Sequence, residues 1–329
     1  MSVAPAPAPG PTGRRTPPAG SWRAAWRRAA ARLGVPLEAR WLVEEVAGFA
    51  GAELWRRLDE PAPAAALARL DELVTARAEG VPLGYVLGHV PFCGVELVVR
   101  PGVLIPRPET ELVVARALAE LRRTGVVRPT VVELGTGSGA IALGLAAGAA
   151  GAGLAGISIL AVERAGAALA VAAENLARQP RLARSIRLLP GSWFGPLPSS
   201  LAGRVDLVVA NPPYVATSEA SVLPPEVADH EPPEALFSAR NGLQASAEIL
   251  AGAGRVLSPT GVVVLEVSAT RAAETTSLAA ALGWRRVCVH PDLAGRPRVL
   301  VCRRAGAPAL RRPGCARRDP ASRGGRPHA

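Results

Sequence analysis

Asn211, Pro212, Pro213 and Tyr214 follow directly on the apolar run VDLVVA, so a buried strand gives way at once to a carboxamide, two prolines and an aromatic ring. A carboxamide or exocyclic base nitrogen is a poor nucleophile because its lone pair is delocalised. Alkylating it requires that the nitrogen be held in line with the leaving group while acceptors take up its N–H groups. The Asn211 side-chain carbonyl and the Pro212 peptide carbonyl are two acceptors for one NH2. The prolines restrict the loop, so little ordering entropy remains for binding, and Tyr214 offers a flat surface to a planar amide or base. Asn211, Pro212 and Tyr214 are candidate catalytic residues. Substrate would be held by Asn211, Pro212, Pro213 and Tyr214. Asn-Pro-Pro also suits a simple turn.

The run VVELGTGSGAIAL places Gly135, Gly137 and Gly139 between a strand and a helix. Glycines there let backbone approach a ligand closely and leave the first helical N–H groups free to donate, as a nucleotide-type cofactor needs. With Ala140 in the last small-residue position, the spacing also satisfies the dinucleotide fingerprint, so this loop alone does not separate NAD from S-adenosyl-L-methionine. Glu163, at the end of the next apolar run, suits ribose hydroxyls in either class. Glu133, ahead of the glycines, is expected under the loop, orienting it or the charged end of the cofactor. The Asn-Pro-Pro-Tyr stretch favours the methyl sulfonium, since hydride transfer needs no amide-gripping pocket.

These motifs require a scaffold. Ser21 opens a helical stripe of Trp22, Ala25, Trp26, Ala29 and Leu33 that closes at Gly34. Helical patterns around 36–58 and 62–79 follow, so a small bundle is expected. FCGVELVVRPGVLIP (92–106) reads as a hairpin. From Pro108 onward, the strand-like runs TVVEL, ISILAV, VDLVVA, GVVVLEV and RVLVC alternate with helical segments, which predicts a mostly parallel sheet covered on both faces. In such sheets, ligands sit at the carboxyl ends of the strands near the switch in strand order, where both motifs lie.

The net charge of +11 is concentrated at the ends. Residues 303–329 hold eight Arg and one Asp, and residues 1–20 two Arg, leaving +2 for the body. Both ends lack hydrophobic periodicity and are expected to be disordered. A nearly neutral body argues against a nucleic-acid substrate. Cys93, Cys288, Cys302 and Cys315 share no close spacing, against a metal cluster or disulfide scaffold and in favour of a reducing cytoplasm. MSVAPAPAPGPTGRR has no apolar core, so no secretory signal is expected. Residues 134–162 carry no charge, but their glycines and loop-forming start predict strand, loop, helix, loop and strand rather than a membrane span.

Taken in order, PLGYVLG (82–88), IPRPETE (105–111), ELGTGSGAIAL, Asn-Pro-Pro-Tyr, HEPPEAL (230–236) and DLAGRPRVLV (292–301) resemble the peptide chain release factor glutamine N(5)-methyltransferases over roughly residues 22–304. The resemblance implies an α/β fold. Its core would be a doubly wound, mostly parallel seven-stranded class I methyltransferase sheet, joined to a small N-terminal helical bundle through a β-hairpin linker. The implied division is a Pro-rich tail (1–20), a helical substrate-docking domain (21–88), the linker (89–106), the S-adenosyl-L-methionine-dependent domain (107–304) and a basic tail (305–329). It further implies methylation of the glutamine amide in the Gly-Gly-Gln tip of release factors. Carried over by position, Glu133, Gly135, Thr136, Gly137, Ser138, Gly139, Glu163, Trp193 and Asn211 hold the cofactor, with Trp193 near the adenine. A cytoplasmic monomer is expected, with release factors as protein partners, no membrane, no specific nucleic acid and no metal. Three positions depart from the family pattern: Ser192 stands where Asp is frequent, Val-Ser follows Glu266, and Cys93 replaces a larger residue. A ribosomal-protein glutamine methyltransferase, a DNA adenine-N6 methyltransferase and a non-catalytic cofactor-binding module remain as alternatives.

Overall fold

The computed structural model describes residues 20–303. The tails expected to be disordered (1–20 and 305–329) lie outside the described residues apart from Gly20. The chain divides into two compact units between Gly88 and His89.

The first unit is helical: α1 (Trp22–Leu33), α2 (Pro36–Ala47), α3 (Ala52–Arg57), α4 (Ala64–Ala78) and α5 (Leu83–Leu87). Ser21 accepts from the Ala24 amide at 3.3 Å and caps α1, which ends where Gly34 turns left-handed. The helix expected over 36–58 is two helices, because Gly48 and Gly51 adopt φ of +71° and +57°, which a right-handed helix cannot continue through. Trp22, Ala25 and Ala29 are buried with Leu42, Val43, Leu70 and Leu73, while Trp26 and Leu33 flank that core half-buried.

The second unit opens with an antiparallel hairpin, β1 (His89–Phe92) and β2 (Val95–Val98). Its Phe92, Val95 and Leu97 are buried in the core of this unit, so the segment read as a linker is part of the packing. Then come α6 (Thr110–Thr124), β3 (Thr130–Leu134), α7 (Ala140–Ala149), β4 (Ser158–Glu163), α8 (Gly166–Arg178), β5 (Ile186–Pro190) and β6 (Val205–Ala210). After several short turns follow α9 (Gln244–Val256), β7 (Leu257–Glu266), α10 (Ala272–Ala281), β8 (Arg286–Pro291) and β9 (Pro297–Arg303). The seven strands lie in the order β5-β4-β3-β6-β7-β9-β8. Only β9 runs against the others. The uncharged stretch 134–162 resolves into strand end, loop, α7 and β4. Among the described residues, no helix is long and apolar enough to cross a membrane.

Alternation along the strands sends Val131, Leu207, Val209, Val262 and Val264 to one face, against α6 and α7. Val132, Leu134, Val208, Ala210 and Leu265 face the other side, with residues of α9 and α10. Burial on both faces explains why the central strands are continuous apolar runs. Register then fixes where each run ends. Leu134 pairs with Val162 on one side and Ala210 on the other, and Ala210 pairs with Leu265. Gly135, Glu163, Asn211 and Glu266 are therefore the next residues at a common level of the sheet.

Candidate active site

The chain winds outward from β3 to β4 and β5, then returns to the other side of β3 at β6, so the switch in strand order lies beside β3. A cavity of about 270 Å³ opens there, walled by Gly135 and Gly137, by Glu163, by Trp193, and by Asn211, Pro212 and Pro213. Such a position is where α/β sheets bind ligands.

The glycine loop is held from below. The amides of Gly135 and Thr136 donate to the Val162 carbonyl at 2.8 and 3.0 Å. Asn175, buried on α8, donates to the Ser138 carbonyl at 2.9 Å and to the Val98 carbonyl at 3.0 Å, joining the loop to the hairpin. Thr136, Ser138 and Glu133 are buried and do not line the cavity. The Thr136 hydroxyl donates to Glu133 Oε2 at 2.7 Å, while Glu133 Oε1 has no hydrogen-bond partner. Burial pushes the Glu133 carboxyl up to about 8, and the nearby Glu163 carboxylate adds to the rise. Gly139 is likewise behind the cavity wall, left-handed at φ +83° as it starts α7. Of the residues expected to hold cofactor, Gly135, Gly137, Glu163, Trp193 and Asn211 face the cavity, and the other four support it.

Glu163 gathers three backbone donors. Gly137 N–H donates to Oε2 at 2.9 Å, and Arg164 and Ala165 N–H donate to Oε1 at 2.8 and 2.9 Å. An ionised carboxylate retains lone pairs for ligand hydroxyls beyond these. Trp193 adopts φ +45° and its indole N–H donates to Glu248 Oε2 at 2.6 Å. Gln244, one turn earlier on α9, donates to the other Glu248 oxygen. Both line the cavity beside Ser192. Sequence reasoning missed Gln244 and Glu248 because they lie in the first turns of an otherwise ordinary amphipathic helix.

On the opposite wall, the Asn211 side-chain nitrogen donates to Thr110 Oγ1 at 3.3 Å, and the Thr110 hydroxyl donates to Glu266 Oε2 at 2.7 Å. The Tyr214 hydroxyl donates to Glu266 Oε1 at 3.3 Å. Tyr214, expected to offer its ring to the substrate, is not among the lining residues, and its hydroxyl end is committed to this carboxylate. Burial raises the pKa values of both Glu266 and Tyr214 above their ordinary ranges. Two motifs quoted without assigned roles meet nearby: Arg107 of IPRPETE pairs with the buried Glu231 of HEPPEAL, whose other oxygen accepts from the Ile105 amide. Cys93 packs over α7, where a Cβ on Gly144 would lie 3.2 Å from its sulfur.

A family model described as the PrmC N-terminal domain matches residues 25–88. The chain is 36% identical to the release factor glutamine methyltransferase of Deinococcus radiodurans over 278 residues, covering 84% of this chain and 94% of that protein. To the release factor glutamine methyltransferase of Bordetella pertussis it is 39% identical over 267 residues, covering 81% and 94% respectively. A third relative of the same description, from Streptomyces coelicolor, is 39% identical over 239 residues, covering 72% and 81%. With more than a third of positions shared along nearly the full length of the first two, this chain belongs to the release factor glutamine methyltransferase family.

Proposed function

We propose that the chain transfers the methyl group of S-adenosyl-L-methionine to the side-chain amide nitrogen of the glutamine in the Gly-Gly-Gln motif of peptide chain release factors. The observation that carries this reading is that the glycine loop, Glu163 and Asn211-Pro212-Pro213 wall a single cavity.

The cavity suits the cofactor. A Cβ on Gly137 would meet nothing within 4 Å, and one on Gly135 only the Trp193 ring at 3.9 Å, so both glycines leave room that any side chain would take. Glu163 would accept from ribose hydroxyls, and Trp193 would lie along the adenine. When bound, S-adenosyl-L-methionine supplies a methyl group on a positively charged sulfur.

The chain's own residues orient the acceptor. The Asn211 side-chain carbonyl and the Pro212 peptide carbonyl take the two N–H groups of the glutamine amide and direct its nitrogen along the line of transfer. Transfer would form the N–CH3 bond as the S–CH3 bond breaks and S-adenosyl-L-homocysteine leaves. The alkylated amide nitrogen is strongly acidic and would give its extra proton to water, so no strong base is needed. The helical unit 21–88 is assigned to docking the release factor, in the cytoplasm.

Labelled S-adenosyl-L-methionine incubated separately with a release factor, a ribosomal protein and duplex DNA tests the reading. Label is expected on the release-factor glutamine. Label on DNA or on the ribosomal protein alone would overturn the substrate assignment.

A further inference from the structure

An asparagine side chain can present either its oxygen or its NH2 to a cavity, and only the oxygen can accept from a substrate amide. Asn211 carries no intrinsic preference between the two. We infer that Thr110 and Glu266 are positioning residues: their hydrogen-bond relay fixes the Asn211 carboxamide with its oxygen free for the substrate. The inference rests on the proposed role of Asn211 as an acceptor.

The argument follows the protons. Glu266, the last residue of β7, is 1% exposed, and its carboxylate accepts from both Thr110 and Tyr214. Thr110, the first residue of α6, is 3% exposed and has one hydroxyl proton, which the 2.7 Å contact gives to Glu266. With Glu266 ionised, the Thr110 oxygen is therefore an acceptor toward Asn211. The end of the Asn211 amide that lies 3.3 Å away must be the donating NH2. With the amide reversed, two oxygens would face each other at hydrogen-bond distance without a proton between them, an arrangement polar groups avoid. The resulting order is Asn211 to Thr110 to Glu266, with Tyr214 bonded to the second carboxylate oxygen.

The sheet supplies the geometry. Asn211 and Glu266 leave adjacent strands at the same level. Strand alternation turns both side chains toward the face where Val113 and Val114 of α6 pack, which brings them to the first turn of that helix. Tyr214 bonds to the same carboxylate, so one buried group sets both ends of the Asn-Pro-Pro-Tyr turn.

The experiment compares Thr110→Val, which keeps the shape and loses the hydroxyl, with Thr110→Ser, which keeps the hydroxyl. It is run in the full chain and in the Asn211→Ala background. Thr110→Val should lower kcat on a release factor about ten- to a hundred-fold, the scale of a misplaced contact group, with dissociation constants for S-adenosyl-L-methionine within about three-fold of wild type. Thr110→Ser should recover most of the rate. In the Asn211→Ala background, Thr110→Val should cause no further loss, because residues acting through one group are non-additive. Near-normal kcat in Thr110→Val, or losses that add, would overturn the inference.

A second readout does not depend on turnover: the Asn211 side-chain NH2 signal in a 15N spectrum, identified by its absence in Asn211→Ala. It should show a through-space contact to Thr110 and slow exchange in wild type, and lose its protection in Thr110→Val. Equal protection in both proteins would overturn the inference. If wild type fails to methylate any release factor, the substrate reading fails, while this spectrum still decides how Asn211 is held.

Discussion

Gly242 lies so close to Tyr214 that a Cβ on it would stand 2.4 Å from the Tyr214 carbonyl oxygen. It is the third of three consecutive residues with positive φ, after Arg240 (+50°) and Asn241 (+54°). The Asn241 carbonyl is held by Arg271 Nε at 2.6 Å, so the tight turn is anchored and cannot retreat from the Asn-Pro-Pro-Tyr turn. Gly242→Ala should displace Tyr214 and destabilise the protein by about 1–3 kcal/mol, the usual range for forced overpacking. Turnover should fall with it. Gly254→Ala, on α9 with open space around it, should stay near wild type or rise slightly in stability, as Ala does for Gly in a helix. Thermal melts and turnover of the pair check this.

Asn211→Ala removes the side-chain acceptor while leaving the Pro212 carbonyl and the glycine loop in place. Losing one preorganised polar contact to the reacting group lowers kcat on the order of 100- to 1000-fold. Binding of S-adenosyl-L-methionine, measured by calorimetry, should change by no more than a few-fold. Turnover close to wild type would remove Asn211 from the chemistry.

Gly137 and Gly153 separate backbone strain from occlusion. Both are left-handed, with φ of +58° and +72°, and a Cβ on either would meet nothing within 4 Å. Only Gly137 lines the cavity. Alanine at either site should lower stability by about 1 kcal/mol, since a Cβ disfavours that conformation. Gly137→Ala alone should weaken S-adenosyl-L-methionine binding, by about ten-fold for a contact loss near 1.4 kcal/mol. Equal affinities in the two variants would show that the loop does not touch the cofactor.

What the sequence announced, and what it withheld, follows from burial. The strands β3, β4, β6, β7 and β9 show as apolar runs because neighbours cover them on both faces. The flanking β5 and β8 are half-exposed at the edges, carry Arg187 and Arg286, and show no such run. Asn211 was legible because its neighbours are unusual. Thr110 and Glu266 were not, because a threonine at a helix start and a glutamate at a strand end each have ordinary explanations. Only the register that sets Asn211 and Glu266 side by side gives them a shared purpose. The motif made the Tyr214 ring legible, but not the bond of its hydroxyl to Glu266, which lies far away in sequence.

Glu133 gives a pH-dependent prediction. It is 1% exposed and its carboxyl is raised to about 8 by burial, against an ordinary value of 4.5. Between those values the folded chain holds a proton that the unfolded chain has released, so stability falls as pH rises from about 4.5 to 8 and levels off above. Glu133→Gln has no proton to release and still offers an oxygen to the Thr136 hydroxyl. Its amide nitrogen would occupy the place of the unpartnered oxygen, which adds a constant cost but no slope. Melting temperatures measured from pH 5 to pH 8.5 should therefore decline less steeply in Glu133→Gln than in wild type. The two curves should diverge steadily between the unfolded and folded values and run parallel above about pH 8. Parallel curves throughout would mean that Glu133 is ionised beneath the loop across the whole range.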